Sequence, residues 1–394
     1  MYIVLTPYKS HQNGNVGARL VEQSAIELVK QVRNSKEINV HYRREDFTSR
    51  MNYLNSADAI LIPNFHLTRN SRPKLYRICK NLSDVEPPII PINGFYKFNP
   101  EKGEQIEEQQ LDQGTTEFLN YIQQYCAEEI PARSDYVFEV LTQNGYNARM
   151  VGDPGWYDPE YIGSSFHRPI DIEQLVFTPP HDPFYTEQAK CILRRLGSEF
   201  GDETSKIISM HCAWDPLRDK EPNEELAEYG AKYGWKSRYT SHELSNIDFY
   251  EESDLHVGYL KHGHLAHLRQ RIPSVVLAED SRALGLIETL GTAGFPAFDY
   301  PRFNEQAAEH LKQVYDSTPV RGVKLLLEHL LPNDPLPEMI DLTTTAPESV
   351  ADDVMEFINR QQSNGWVAYD NIASLFDKTY KEQMLPYLDD SLPK

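Results

Sequence analysis

Three basic side chains lie together where a predicted strand is followed by a helix. An apolar run at residues 255–259 precedes Lys261, His262 and His264. Ligands of parallel α/β sheets bind beside the carboxyl ends of strands and the N-termini of the following helices. An imidazole there exchanges protons near neutral pH, and an ammonium group attracts an anion. The sequence therefore predicts an anion site with His262 as its acid/base group.

A second strand end offers another cation. The apolar run at residues 274–277 is followed by Glu279, Asp280 and Arg282, and then by a helical segment that Gly291 ends. If the two strands are neighbours in a parallel sheet, Arg282 faces the same pocket as His262. Two convergent strand ends favour a functional site over an isolated histidine cluster.

Two other interpretations of the histidines are open at this point. His262, His264 and His267 have a spacing that a metal site can use, but the glutamate of the zincin motif and a nearby cysteine are missing. We therefore predict no metal. Alternatively, the histidines only cap or line a helix.

The elements that must position this site alternate between strands and helices. The first strand (residues 2–5) leads through a Gly/Asn loop that contains Asn15 and Gly17 into a helix at 18–32. Further apolar runs follow, and such alternation predicts an α/β fold with parallel sheets. The loop lacks both the dinucleotide fingerprint and the Walker lysine, so it predicts no nucleotide cofactor.

The pattern starts again at residues 175–178, with a helix at 185–196 and a strand at 206–211. We therefore expect an N-terminal lobe at residues 1–165, a C-terminal lobe at 166–340 and a helical extension at 341–394. The extension contains two helical stretches separated by Asn364 and Gly365, and we expect it to fold back on the first lobe.

Composition limits the possible partners. The 394 residues are 40% hydrophobic and carry a formal charge of −20, so the average surface repels nucleic acid and anionic membranes. Four scattered cysteines fit neither a disulfide framework nor a zinc site. The first residues lack a basic, apolar leader, and no segment has the length of a membrane span, which predicts a cytoplasmic protein.

The second lobe resembles the polysaccharide pyruvyl transferase family. That family has a strand ending in Gly-x-Arg-x-His, then a helix, an apolar strand after a proline, and a basic residue. The corresponding segments here are residues 258–262, 272–277 and 280–282.

The resemblance extends into the first lobe. Residues 15–17 are similar to the family's Asn-x-Gly-Asp loop, and residues 57–62 are similar to the strand that follows it. Residues 133–136, Gly145 and the Asp-Pro pair at 153–154 resemble its arginine segment and a later turn.

The chain departs from the family pattern at four places. The arginine before the histidine is Leu260, the aspartate of the first loop is Ala18, and a Gly-Gly pair is replaced by Pro63 and Asn64. The final basic residue, usually lysine, is Arg282. Lys261 lies beside Leu260 and offers a substitute charge.

The resemblance implies two Rossmann-like lobes in a GT-B-like arrangement, with the active site in the cleft between them. It implies transfer of a pyruvyl group from phosphoenolpyruvate to a sugar as a ketal, as in exopolysaccharide biosynthesis. No cofactor is implied beyond phosphoenolpyruvate as the donor substrate, and the partner is a saccharide acceptor.

Roles follow from the same resemblance. Arg133 and Arg282 clamp the carboxylate and phosphate of the donor, because guanidinium groups bind both bidentately. His262 is the catalytic acid/base. The remaining candidates are Lys261 and His264 for donor binding and Asn15 and Gly17 in the loop on the acceptor side.

Two alternatives belong to other functional classes. A nucleotide-sugar-dependent glycosyltransferase has the same two-lobed plan and needs an acidic residue for a ribose, which Glu279 or Asp280 supplies. The second alternative is a carbohydrate-binding homologue without catalytic activity. Leu260 keeps this alternative open, because it replaces the family's arginine. The sequence leaves the acceptor sugar and the oligomeric state open.

Overall fold

The computed structural model describes residues 1–8, 15–33, 37–67, 71–97, 110–182, 185–211, 220–291, 293–299 and 348–394. Three parts of the sequence interpretation lie outside these residues: the beginning of the Gly/Asn loop, Cys212, and all of the expected second lobe after residue 299.

The N-terminal part contains two parallel sheets. The first has the order β2-β1-β3-β5 and the second the order β4-β6-β7-β8. The strands are β1 (Tyr2–Thr6), β2 (Ile38–Tyr42), β3 (Ala59–Ile62), β4 (Phe65–His66), β5 (Ile89–Pro91), β6 (Gly94–Phe95), β7 (Ile130–Ala132) and β8 (Ala148–Met150). The helices of this part are α1 (Val16–Val32), α2 (Met51–Asn55), α3 (Gln113–Tyr125) and α4 (Asp135–Gln143).

Polar side chains cap the N-termini of α1 and α4. Asn15 accepts a hydrogen bond from the backbone N–H of Gly17, and Ser134 accepts one from that of Val137 at the start of α4. Each bond satisfies an N–H that has no partner within the helix. These caps determine where the chain turns from loop to helix at the ligand-binding edge of the sheet.

The C-terminal part contains one six-stranded parallel sheet of order β11-β10-β9-β12-β13-β14. Its strands are β9 (Gln174–Thr178), β10 (Ser205–Met210), β11 (Trp235–Tyr239), β12 (Leu255–Gly258), β13 (Ser274–Ala278) and β14 (Gly294–Pro296). Its helices are α5 (Thr186–Glu199), α6 (Lys220–Ala231), α7 (Lys261–Arg269) and α8 (Ser281–Leu290). The strand order reverses between β9 and β12, which is where doubly wound sheets bind ligands.

Three further helices link the two parts: α9 (Glu348–Ser363), α10 (Ala368–Thr379) and α11 (Leu385–Ser391). Helix α9 packs on α5, and α11 packs on α1. Tyr387 donates a hydrogen bond to the carbonyl of Pro91 at 2.6 Å, and Arg33 forms an ion pair with Asp389. The end of the chain therefore crosses from the C-terminal part to the N-terminal part.

The predicted α/β fold with parallel sheets is confirmed. The N-terminal part has two four-stranded sheets where one was expected, and together with the six-stranded sheet and the crossing C-terminal helices they form a GT-B-like arrangement. One apolar core is continuous across both parts, from Val4 in β1 through Trp156 to Leu175 and Leu265. None of the helices within the described ranges is long and apolar enough to cross a membrane.

Candidate active site in the inter-lobe cleft

A cavity of about 210 Å³ lies at the carboxyl ends of β12 and β13, facing the N-terminus of α1. Because β12 and β13 are paired in parallel, the residues that follow them meet at one edge of the sheet. The polar side chains that line the cavity include Asn15, Lys261, His262, Glu279, Asp280 and Arg282.

His262 is half-buried in the first turn of α7 and lies directly against Gly17 of α1. A Cβ atom on Gly17 would overlap Cβ and Cγ of His262, so the close approach requires glycine. Burial and the neighbouring charges of Lys261 and Arg282 hold the pKa of His262 well below its usual value. The imidazole is therefore neutral at pH 7.

Lys261 is the first residue of α7 and is 8% exposed. Its Nζ atom donates a hydrogen bond to Oδ2 of Asp153 at 3.2 Å. Burial, with a further contribution from the charge of Arg133, lowers the pKa of Lys261 to about 7. The ammonium group therefore gains and loses its proton near neutral pH.

Arg133 lies behind the cavity, because it is only 2% exposed and does not contribute to the cavity lining. Its Nη1 atom is 3.9 Å from Oδ2 of Asp153, and its guanidinium lies over the ring of Phe95 at 4.9 Å. Burial lowers its pKa to about 10. The predicted direct clamp on the donor does not fit this position, and Arg133 acts on the cavity through its charge.

Arg282 lines the cavity and is paired with a carboxylate. Its Nε and Nη2 atoms donate to Asp280 at 3.0 Å and 2.6 Å, and Lys97 lies 3.3 Å from the same carboxylate. Although burial opposes it, these cations hold the pKa of Asp280 well below its usual range. Arg282 remains one-third exposed, which leaves it able to contact a ligand.

Glu279 is the second carboxyl group of the lining. It accepts hydrogen bonds from the backbone N–H groups of His181 at 3.2 Å and Asp182 at 2.9 Å. Burial nevertheless raises the pKa of Glu279 to about 8. The carboxyl group is therefore largely protonated at pH 7 and adds little negative charge to the cavity.

His264 does not reach the cavity, in contrast to the prediction. It is fully buried, and its Nδ1 atom lies 2.7 Å from Oγ of Ser274, which also binds Nδ1 of His256. Burial lowers the pKa of His264 to about 3. Successive helical residues are rotated by about 100°, so His262 and His264 point to opposite sides of α7.

The charges around the cavity leave it cationic. Among the residues that the structure describes, four cations surround two ionised carboxylates when Lys261 is protonated, which leaves an excess of two positive charges. The cations are Arg133, Lys261, Arg282 and Lys97, and the carboxylates are Asp153 and Asp280. No group of three or more metal-ligating side chains occurs within the described part of the chain. The arrangement suits a small anion with more than one negative charge.

Sequence reasoning did not identify Asp153 or Lys97 as members of the site. In the sequence Asp153 is recognisable only as part of an Asp-Pro pair, and Lys97 belongs to none of the motifs described above. The signal that was available for Asp153 is its cap: its side chain accepts from the N–H of Gly155 at 3.0 Å. A capped turn at a strand end places a carboxylate at the ligand edge of the sheet.

Comparisons with known proteins give structural similarity only. No family model matches the chain, and no curated protein matches its sequence. MnaA from S. aureus in complex with UDP is 12% identical with a TM-score of 0.43, covering 91% of this chain and 97% of that one.

Two further solved structures have the same level of similarity. A putative UDP-N-acetylglucosamine 2-epimerase from Listeria monocytogenes is 10% identical, with a TM-score of 0.44 and coverage of 99% and 93% of the two chains. HepE from Anabaena in complex with UDP is 10% identical, with a TM-score of 0.41 and coverage of 97% and 98%. Matches at this level do not distinguish one donor from another.

Proposed function

We propose that the chain is a transferase that moves a pyruvyl group from phosphoenolpyruvate to a sugar as a ketal, in the cleft between its lobes. The observation that carries this proposal is the excess of positive charge around a small cavity. Phosphoenolpyruvate presents a phosphate and a carboxylate within a few ångströms of each other. Arg282 and Lys261 line the cavity and offer one cation to each group, and Arg133 adds charge from behind.

The size of the cavity supports a small donor. Pockets for drug-sized ligands measure roughly 300–1,000 Å³, whereas this cavity measures about 210 Å³. Phosphoenolpyruvate has only about ten non-hydrogen atoms and is much smaller than such ligands.

The proton states of two neighbouring side chains suit the two halves of the reaction. Protonated Lys261 donates a proton to the methylene carbon of the enol, which leaves positive charge on the adjacent carbon and its oxygen. A sugar hydroxyl attacks that carbon and gives its proton to neutral His262. The bond from this carbon to the phosphate oxygen breaks, and phosphate leaves with the electron pair and takes the proton from His262. A second hydroxyl of the sugar then closes the ketal and gives its proton to Lys261, which restores both side chains.

Release of phosphate tests these roles. Wild-type protein is incubated with phosphoenolpyruvate and a panel of glycosides that present neighbouring hydroxyl pairs. We expect His262→Gln to lower the rate by about 100-fold or more, because a general base contributes at least that factor. His167→Gln is the matched control, because His167 is half-exposed and binds Asp254 just before β12, at the other end of that strand. Near-normal release by His262→Gln contradicts the role of His262.

A nucleotide-sugar-dependent glycosyltransferase is the second candidate. Glu279 favours it, because this carboxyl group follows β13 and lines the cavity, where the hydroxyls of a ribose would find an acceptor. If this candidate is correct, UDP-sugars bind and Glu279→Gln weakens that binding. If the pyruvyl proposal is correct, UDP-sugars have no effect with either protein.

A further inference from the structure

The carboxylate of Asp153 connects cationic side chains from two separate parts of the fold. Asp153 follows β8 and is completely buried. Its Oδ2 atom accepts a hydrogen bond from Lys261 of α7 at 3.2 Å and lies 3.9 Å from Nη1 of Arg133, which follows β7. The first of these contacts crosses from the N-terminal sheet to the C-terminal sheet.

The backbone around Asp153 holds the carboxylate in place. Its Oδ1 atom accepts a hydrogen bond from the N–H of Gly155, the second residue of a short 3₁₀ turn at Pro154–Trp156. This turn packs between α1 and α7, and Gly155 is close to both Leu265 and Val21. The carboxylate of Asp153 is therefore held in a fixed position at the junction of the two lobes.

We propose that Asp153 is a positioning residue, whose carboxylate holds the ammonium group of Lys261 at the cavity and keeps it charged for the donor. The inference rests on the proposed function, because it concerns the lysine assigned there to the donor. Asp153 itself does not line the cavity, so it acts only through its neighbours.

The charged groups around Lys261 explain why this carboxylate is needed. Arg133 and Arg282 both disfavour the ammonium form, and burial disfavours it most strongly. His262 is neutral and adjacent. Asp153 favours the ammonium form and raises the pKa of Lys261, through both its negative charge and its hydrogen bond. Without it, the pKa of Lys261 falls below its present value of about 7.

The test uses Asp153→Asn in the full chain. Asparagine keeps an oxygen for the N–H of Gly155, so the turn is preserved while the negative charge is lost. The titration of Lys261 is followed by NMR with ε-¹³C-labelled lysine and assigned with Lys261→Arg. Asp158→Asn is the matched control, because Asp158 follows the same turn and pairs with Arg269 of α7 at 2.9 Å.

We expect Asp153→Asn to lower the pKa of Lys261 by one unit or more, while Asp158→Asn leaves it unchanged. The affinity for phosphoenolpyruvate, measured by calorimetry, then falls about tenfold above pH 7, because one pKa unit is a tenfold change in the protonated fraction. This loss of affinity becomes smaller towards pH 6. The double variant Asp153→Asn/Lys261→Arg regains affinity at high pH, because a guanidinium group remains charged.

Two results overturn the inference: an unchanged titration of Lys261 in Asp153→Asn, or a loss of affinity that is equal at every pH and is not restored by Lys261→Arg. Failure of the proposed function is a separate outcome. In that case wild-type protein does not bind phosphoenolpyruvate, whereas the NMR titration still decides the role of Asp153.

Discussion

The close approach of His262 to Gly17 leads to a sharp prediction for Gly17→Ala. Gly17 lies in the first turn of α1 and does not have a positive φ angle, so alanine is compatible with the backbone. The new methyl group, however, would overlap Cβ and Cγ of His262. Non-bonded carbon atoms prefer separations of about 3.5–4.0 Å, so His262 must move by about 1 Å or more. Because its Cβ atom is among the overlapping atoms, the start of α7 must move with it.

The expected effects on stability and activity differ in size. Overpacking costs about 1–3 kcal/mol, and replacing glycine by alanine in a helix returns up to about 1 kcal/mol. The free energy of unfolding therefore falls by only about 0–2 kcal/mol. A displacement of about 1 Å at a reacting group costs about 100-fold in rate, so phosphate release falls by that factor.

Phosphate release and chemical denaturation are measured for Gly17→Ala beside Gly201→Ala. Gly201 is the matched control, because a Cβ atom there meets nothing within 4 Å. We expect the control to keep both its activity and its stability. Wild-type turnover in Gly17→Ala would refute the argument that the first lobe positions His262. A loss of stability much larger than a few kcal/mol would make the activity of this variant a folding effect instead.

Two further predictions concern stability. Three buried histidines whose pKa burial lowers to about 3 are neutral in the folded protein and gain protons on unfolding: His211, His264 and His267. These three groups therefore make stability fall on acidification by roughly 4 kcal/mol between pH 7.5 and 5.5. His256, whose pKa burial also holds well below its usual value, adds to the fall, and the raised pKa of Glu279 opposes part of it. Urea unfolding at both pH values measures the net fall, and equal stability would contradict the argument. Tyr387→Phe removes the hydrogen bond to Pro91 and lowers the free energy of unfolding by about 1–2 kcal/mol, whereas Tyr125→Phe, at a side chain that is 65% exposed, leaves it unchanged.

Most of the fold was predictable because buried parallel strands form apolar runs. The runs at β1, β9 and β13 are completely or almost completely buried, so their hydrophobicity marks them directly. Edge strand β11 was missed, because four of its five residues are exposed and polar or aromatic.

The site was predictable only in part. Lys261, His262 and Arg282 meet because their strands are adjacent and parallel, which is a consequence of topology. The alternation of strands and helices does not show how deeply a given side chain is buried. His264 faces the sheet instead of the cavity, and Arg133 lies beneath it at 2% exposure. Whether an arginine lines a cleft or supports it depends on packing between lobes, which residue spacing does not describe.

The central claim is that the cationic cavity binds phosphoenolpyruvate, and ligand-induced change in melting temperature tests it most directly. A ligand that binds only the folded state stabilises it by about 2.7 kcal/mol at 100 times its Kd. We predict that millimolar phosphoenolpyruvate raises the melting temperature by several degrees and that UDP-sugars leave it unchanged. A rise with UDP-sugars and none with phosphoenolpyruvate would contradict the claim.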